Sequence, residues 1–228
     1  MNVTESGFKN RQLHIEDYLQ MVSAEQKEYA EVFDYSKITE KSGVITDYWT
    51  NNLLDLILRK DNLNNAYKQV KKNKGKGGID GMQVDELLPF LRENQDTLIR
   101  KIREGKYKPN PVRRVEIPKE TEGEFRKLGV PTVVDRVIQQ AIAQELSPVY
   151  EKQFSENSFG FRPKRGAHDA LRQCQKNVND GYVYVVDMDL EKFFDTVCQS
   201  KLIEVLSRTI KDGRVISLIH KYLNAGVI

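Results

Sequence analysis

A run of five aromatic and β-branched residues at 182–186, followed at once by acids, is the feature that most limits how this chain can fold. The run follows Asn-Asp-Gly at 179–181, a turn sequence, and so predicts a β-strand. Side chains alternate along a strand, which places Asp187 and Asp189 on one face about 6–7 Å apart. Acids at that separation raise each other's pKa unless a cation lies between them, which favours a divalent metal site. The alternative is a strand end whose acids are simply solvated.

Asp195 has different surroundings in the sequence. It follows Phe193 and Phe194 and precedes apolar residues at helical spacing over 197–210. We therefore expect Asp195 or Ser200 to be the N-cap of that helix rather than a metal ligand.

Basic residues are concentrated in part of the chain. Residues 1–57 contain five Lys or Arg and ten Asp or Glu, whereas the remainder contains 31 and 23. The segments 59–76 and 100–114 each contain seven basic residues and one acid. One basic run is usually a solvated helix face, but several in one chain favour a polyanion, above all a nucleic acid.

The composition is that of a globular protein. The chain has 228 residues, 39% of them hydrophobic and 30% charged, enough for one large domain or two small ones. It contains neither a run of about 20 apolar residues nor a signal peptide, so we expect a cytoplasmic protein that does not bind membranes. Cys174 and Cys198 are expected to be small, buried or half-buried side chains rather than a disulfide or zinc ligands.

Hydrophobic periodicity predicts a helix-rich α+β fold with antiparallel strands. Residues 1–48 form an acidic N-terminal extension with one helix predicted at 15–33. Helices are predicted within 49–103, a β-hairpin within 107–131 and a helix from residue 133, whose core face is Val137, Ile138, Ala141, Ile142 and Leu146. A loop at 155–167, another helix, the strand at 182–186 and a helix at its carboxyl side follow.

Five segments, in this order, resemble the N-terminal half of group II intron-encoded reverse transcriptases of the bacterial maturase kind. They are KGKGGIDGM at 74–82, PVRRVEIPK at 111–119, RKLGVPTVVDRVIQQAI at 126–142, SENSFGFRPKRGAHDAL at 155–171 and VVDMDLEKFFD at 185–195. One departure is Lys127, where the family commonly has proline. The resemblance covers about residues 53–228 and implies a right-hand polymerase fold. The fingers, with their RNA-binding helices and basic hairpin, would span 49–178, and the start of the palm 179–228.

The resemblance also implies RNA-directed DNA synthesis at a site with two Mg²⁺ ions. The family's metal-binding acid is followed five and six positions later by an aromatic residue and an Asp, which matches Asp189 here. The Leu190 carbonyl would be a second metal contact. Phe194, together with Phe193, would lie under the incoming sugar and exclude a 2′-hydroxyl. Asp187 would then be a neighbour of the site.

Basic residues take nucleotide and RNA roles in the same resemblance. Arg113, Lys119 and Arg126 match positions that bind the incoming triphosphate or the template backbone. The alternative is that they are solvent-exposed side chains of a hairpin without a binding role. We expect both Phe159 and Phe161 to pack inward, with base stacking as the alternative. The candidate RNA-binding residues are Lys71, Lys72, Lys74, Lys76, Arg162, Lys164 and Arg165.

The partners implied are intron RNA, an RNA template with a DNA primer, and dNTPs; the acidic extension could also pair with a basic zone in a homodimer. The family's second metal motif, aromatic-x-Asp-Asp, does not occur in these 228 residues, so we expect this chain alone to bind RNA but not to polymerise. Three alternatives stay open. They are an RNA-binding maturase without polymerase activity, a reverse transcriptase of a retron, a diversity-generating element or a CRISPR adaptation module, and a metal-binding domain unrelated to polymerases.

Overall fold

The computed structural model of the protein describes residues 51–118, 123, 125–190 and 192–228. The predicted acidic extension over 1–48, with its helix, lies outside these residues. Within them, 153–188 belong to one compact unit and 51–152 with 189–228 to another. The predicted domain boundaries after residues 48 and 178 stay predictions.

Helices dominate the described residues, and one antiparallel strand pair accompanies them. This confirms the predicted helix-rich α+β class. The helices are α1 (Leu53–Ile57), α2 (Lys60–Lys72), a 3-10 turn at Val84–Glu86, α3 (Leu87–Arg103), α4 (Val133–Glu151), α5 (Ala167–Asn179), α6 (Phe193–Thr196), α7 (Gln199–Thr209) and α8 (Gly213–Leu223). The strands are β1 (Arg113–Pro118) and β2 (Phe125–Val130).

The hydrophobic core is formed by buried residues of α1, α2, α3, α4 and α8, with Leu206 of α7 packed against it. Each fully buried Leu, Ile or Val side chain there contributes about 1.5–3 kcal/mol relative to an exposed one. The predicted core face of α4 is confirmed, with Leu146 partly buried and the other four residues buried. The largest fully buried apolar side chains are Leu53, Leu54, Ile57, Leu87, Val133, Ile138, Ile210 and Val215.

A buried amide links the first helices to α4. Asn62 of α2 donates from Nδ2 to the carbonyls of Ile57 at 2.9 Å and Ala141 at 3.0 Å. Gln144 of α4 donates in turn to Asn62 Oδ1 at 2.5 Å. Because a buried amide left unpaired is costly, these bonds fix α1, α2 and α4 in one register.

The predicted β-hairpin is confirmed. Its antiparallel register runs from Arg113 opposite Val130 to Pro118 opposite Phe125. Residues 226–228 lie along the other edge of β1, where Val112 and Val227 form a parallel bridge. The Arg114 N–H donates to the Ile228 carbonyl at 2.7 Å, so both edges of this part of β1 are paired.

The predicted strand at 182–186 is not formed. Residues 182–190 lie in no helix or strand, and the side chains of 182–186 are 69% to 93% exposed. A strand is stable only when its backbone groups pair with a neighbour, and the strands of the described residues pair with each other. Residues 182–186 therefore have the composition of a strand but pair with no strand among the described residues.

The predicted helix N-cap is also wrong. Asp195 lies inside the short helix α6, and Ser200 lies inside α7, which begins one residue after Cys198. Cys198 is the N-cap, and its side chain makes no capping hydrogen bond. The apolar pattern located the helix, but it did not distinguish a short preceding turn from the helix itself.

The two cysteines are free and exposed, which corrects the expectation that they are buried or half-buried. Cys174 lies on α5, a helix with no buried residue, and Cys198 lies at the start of α7. None of the described helices has the length and apolar composition needed to cross a membrane.

Candidate nucleic-acid interface and metal-binding stretch

The glycine-rich loop at 74–82 lies tightly against the start of α4. Gly77 and Gly78 are buried, and a Cβ on Gly78 would come within 2.6 Å of the backbone of Thr132. Gly81 adopts a positive φ of 74°, which a residue without a side chain tolerates best. Gln83 closes the loop by donating from Nε2 to the Gly81 carbonyl at 2.7 Å. Glycine is therefore required here for close approach and for backbone conformation.

Two arginines hold this loop by its carbonyl groups. Arg113 of β1 donates from Nη2 to the Gly77 carbonyl at 3.0 Å, and Arg136 of α4 donates to the Lys76 carbonyl at 2.7 Å. The Nε atom of each is buried and has no hydrogen-bond partner among the described residues. Burial lowers the pKa of Arg136, although the charge of Asp80 opposes the shift. The sequence singled out Arg113 but not Arg136.

The hairpin places two predicted nucleotide-binding residues on one face. In this register Arg113 and Arg126 share the face of alternate residues that includes Ile117, the partner of Arg126. Arg113 is half-buried by the glycine-rich loop, whereas Arg126 is exposed. Lys119, the third predicted residue of this group, lies outside the described residues.

The lysines predicted to bind RNA are all exposed. Lys71 and Lys72 lie in the last turn of α2, where the helix dipole favours cations. Lys74, with a positive φ of 45°, and Lys76 follow in the glycine-rich loop. These residues form a basic surface along one end of α2, and RNA binding by it stays a prediction.

A buried carboxylate that the sequence did not indicate as functional fixes the start of α4. Asp135 is 1% exposed and accepts from the Tyr107 hydroxyl at 2.6 Å and the Thr132 hydroxyl at 2.7 Å. The Asn110 N–H donates to the same carboxylate at 3.2 Å. Burial, reinforced by the charge of Asp135, raises the pKa of Tyr107. The Thr-x-x-Asp spacing at the helix start is the signal that identifies such a cap.

This carboxylate network orders the segment that leads into the hairpin. Tyr107 and Asn110 precede β1, and Thr132 follows β2, so both ends of the hairpin are tied to Asp135. The face that carries Arg113 and Arg126 is thereby positioned through hydrogen bonds to a residue on α4.

The stretch around Asp189 is open to solvent. Asp189 Oδ1 accepts from the Leu190 N–H at 2.9 Å, and both residues are exposed. No hydrogen bond or ion pair between described residues connects Asp189 to Arg113 or Arg126. Phe193 and Phe194 meet edge to face with ring centroids 5.4 Å apart, and the Phe194 side chain is 86% exposed.

The donors of this stretch fit part of a magnesium site. Mg²⁺ prefers oxygen ligands and is commonly bound by one or two carboxylates together with water and substrate phosphates. Asp189 and the Leu190 carbonyl are ligands of this type. The described residues contain no group of three His, Cys, Asp or Glu side chains arranged to hold a metal ion. Further ligands would have to come from bound substrate, from water or from other residues.

The loop at 154–166 uses its arginines internally. Arg162 is 8% exposed and donates to the carbonyls of Ser155 at 2.6 Å and Ser158 at 2.9 Å. Arg165 bonds the Glu156 carbonyl and donates to its carboxylate at 2.7 Å. Of the three basic residues predicted to bind RNA here, only Lys164 is exposed, although phosphate contacts by the arginines stay a prediction.

The two phenylalanines of this loop differ in exposure. Phe159 is half-buried below the Arg165 guanidinium, whose Cζ lies 5.8 Å from the ring centroid, as the expectation of inward packing requires. Phe161 is 100% exposed, so inward packing was the wrong expectation for it. Phe161 has a positive φ of 53°, in the left-handed region. No pattern in the sequence predicted this backbone conformation.

Comparisons with known proteins identify relatives of this chain. The family described as reverse transcriptase (RNA-dependent DNA polymerase) matches residues 117–227. Group II intron-encoded protein LtrA of Lactococcus lactis subsp. cremoris is 33% identical over 192 residues, which are 84% of this chain and 32% of LtrA. Nuclear intron maturase 2, mitochondrial, of Arabidopsis thaliana is 38% identical over 94 residues, which are 41% of this chain and 13% of that protein.

A solved structure adds a similar chain. One chain of a partial Cas6-RT-Cas1–Cas2 complex is 23% identical with a TM-score of 0.47, and the match covers 75% of this chain and 27% of that one. This chain spans about a third of the length of LtrA. The family match over 117–227 includes the stretch around Asp189, and the fold class is that of reverse transcriptase fingers and palm. By these comparisons the chain is similar to group II intron-encoded proteins and intron maturases, and its residues 117–227 match the reverse transcriptase family.

Proposed function

We propose that the protein is an RNA-directed DNA polymerase that also binds intron RNA as a splicing maturase. The observation that carries the proposal is the exposed Asp189 stretch, which has the family's spacing to Phe194 and Asp195 and lies inside the matched segment 117–227. An exposed acid in such a stretch is accessible to a metal ion and a primer terminus.

In this proposal Asp189 and the Leu190 carbonyl hold Mg²⁺. Bound at a polymerase site, a pair of such ions stabilises the attacking and leaving oxygens of phosphoryl transfer. Phe194, with Phe193 packed edge to face beside it, lies against the sugar of the incoming nucleotide and excludes a 2′-hydroxyl sterically. The chain's own contribution is therefore to bind the metal and to select deoxynucleotides.

The triphosphate of the incoming dNTP is assigned to the basic hairpin. Arg113 and Arg126 share a hairpin face, and Lys119 completes the set in the sequence. A guanidinium binds phosphate oxygens through two parallel hydrogen bonds, whereas an ammonium acts as a mobile point charge. Support comes from Arg113, whose position is fixed by the glycine-rich loop.

RNA is assigned to the exposed lysines. Lys71, Lys72, Lys74 and Lys76 form one basic surface, which would contact intron RNA, and Lys164 would contact the template. Arg162 and Arg165 would support template contacts mainly by holding their loop. An RNA template with a DNA primer and dNTPs are the proposed substrates, and the cytoplasm is the proposed location. Pairing of the acidic residues 1–48 with a basic zone of a second copy is a proposed route to a homodimer.

Substitution of Asp189→Asn in the full-length protein tests the site. We expect cDNA synthesis to fall more than about 100-fold, because losing even an outer-shell partner of a metal costs about 10- to 100-fold. Binding of intron RNA should be unchanged, since Asp189 is distant in sequence from the basic surface. The matched control is Asp187→Asn, which removes the same charge two residues away and should retain most synthesis. Retained synthesis in Asp189→Asn, or equal losses in both variants, would contradict the assignment of Asp189.

A maturase that binds RNA without polymerising is the second candidate. It rests on the exposed lysines of the basic surface, Lys71, Lys72, Lys74 and Lys76, which need no metal to bind RNA. Tight RNA binding by the unmodified full-length protein without dNTP incorporation would support this candidate over the polymerase.

A further inference from the structure

Two arginines, Arg162 and Arg165, hold the loop at 154–166 through contacts within the loop itself. The Arg162 guanidinium donates to two carbonyls of the same loop, and its Cζ lies 5.4 Å from the centroid of the Phe154 ring. Arg165 binds Glu156 and covers Phe159 in a similar way. These contacts make the loop a platform whose shape does not depend on Phe161.

Two exposed residues of this loop have backbone conformations that residues other than glycine rarely adopt. Phe161 has a φ of 53° and Lys164 a φ of 59°, both in the left-handed region. A bulky residue in that region is an outlier, and such outliers cluster at functional sites. Phe161 is 100% exposed and Lys164 is also exposed, so packing against the described residues does not compensate for the unfavourable backbone conformation.

We infer that Phe161 is a stacking site for one unpaired base of a single-stranded nucleic acid, with Lys164 on an adjacent phosphate. Exposed aromatic rings together with basic side chains bind single strands without sequence preference, and this loop exposes both Phe161 and Lys164. The inference rests on the proposed function, which supplies the single-stranded ligand, and deepens it by naming a base-binding residue. Binding of a partner protein at Phe161 would not require Lys164. The test below distinguishes such binding from base stacking.

The test compares a single strand with bases to one without. Affinities are measured for oligouridylate of about 12 nucleotides and for an abasic oligomer of equal length, with the unmodified chain, Phe161→Ala, Phe161→Leu and Phe161→Trp. We expect Phe161→Ala and Phe161→Leu to weaken oligouridylate binding by roughly 5- to 100-fold and to leave abasic binding unchanged. Phe161→Trp should restore binding. Lys164→Ala is the matched control, because it should weaken both oligomers alike.

A fluorescence readout separates stacking from a change in the loop. The sequence contains a single tryptophan, Trp49, so Phe161→Trp in a Trp49→Phe background places one reporter at this position. Oligouridylate should quench its emission, and the abasic oligomer should not. Phe161→Ala should unfold at the same temperature as the unmodified chain, because the fully exposed ring packs against none of the described residues.

Three results would overturn the inference. They are unchanged oligouridylate binding in Phe161→Ala, equal weakening of both oligomers, and absence of quenching by oligouridylate. The first would leave Phe161 to a protein partner. Failure of the proposed polymerase is recognised separately, since it appears as absent cDNA synthesis by the full-length protein while base-dependent binding at Phe161 persists.

Discussion

At the scale of single residues, the charges that this fold buries are matched by several hydrogen bonds each. Asp212, only 4% exposed, caps α8 and accepts from the Leu54 N–H at 3.0 Å. Arg214 binds both of its oxygens, from Nε at 2.9 Å and Nη2 at 2.8 Å, and also contacts Asp55. Burial opposes ionisation of Asp212, but these bonds outweigh it and hold its pKa below the ordinary value. The starts of α1 and α8 are thereby fixed to each other.

Removing this carboxylate should destabilise the fold in a pH-dependent way. We expect Asp212→Ala to lower the free energy of unfolding by about 3 kcal/mol at neutral pH, because it leaves the Leu54 N–H unpaired and leaves Arg214 with Asp55 as its remaining acid. A carboxyl whose pKa is lowered by folding stabilises the protein above its ordinary pKa and loses that contribution as the pH falls.

Urea unfolding between about pH 7 and pH 2 measures both effects. The unmodified chain should lose stability below its ordinary carboxyl pKa of 3.8, and the variant should lose less over the same interval. Asp61→Ala is the control, since its ion pair with Arg59 is exposed and contributes less than about 1 kcal/mol. Parallel pH profiles for Asp212→Ala and the unmodified chain would contradict this role.

At the scale of elements, the glycine-rich loop depends on its close approach to α4. Gly78→Ala places a Cβ within 2.6 Å of the Thr132 backbone, so the loop or the helix start must move. We expect a loss of about 1–3 kcal/mol in the free energy of unfolding, measured by urea denaturation.

The matched control for that substitution is Gly213→Ala. Gly213 is the first residue of α8 and has open space around its Cβ position. Alanine there should be neutral or should stabilise the chain by up to about 1 kcal/mol. Equal effects of the two substitutions would show that the loop does not need close contact with α4.

Local patterns predicted the elements whose stability is local. The helices and the hairpin follow from apolar spacing and turn residues within each segment, and the core face of α4 was read from its own periodicity. The strand at 182–186 was wrong because a strand also needs a partner, which its own residues do not specify.

The features of the candidate site also differ in how far the sequence could predict them. Asp189, Phe194 and Arg113 could be proposed from the sequence because motif spacing is local, and their roles stay predictions. The bond from Arg136 to Lys76 and the network of Tyr107 with Asp135 were missed, because each joins residues far apart in the chain. Exposure of Phe161 was likewise unpredictable, since it depends on the loop that Arg162 and Arg165 hold.

At the scale of the whole molecule, the acidic residues 1–57 and the basic remainder suit a protein that must bind a polyanion through one part of its surface. The described basic positions occur on α2, the glycine-rich loop and the hairpin, and the stretch around Asp189 lies within the segment that matches reverse transcriptases. In the proposed function, RNA binding is the role of Lys71, Lys72, Lys74 and Lys76, and nucleotide addition is the role of the Asp189 stretch with the hairpin. These are separate groups of residues, which can be substituted independently.

Single-nucleotide primer extension by the full-length protein tests the proposed polymerase most directly. The substrate is an RNA template annealed to a DNA primer, supplied with Mg²⁺ and one dNTP at a time. We predict addition of the deoxynucleotide complementary to the template base, and no addition in the presence of a chelator. Stable binding of the same substrate without extension by any dNTP, across a range of Mg²⁺ concentrations, would contradict it.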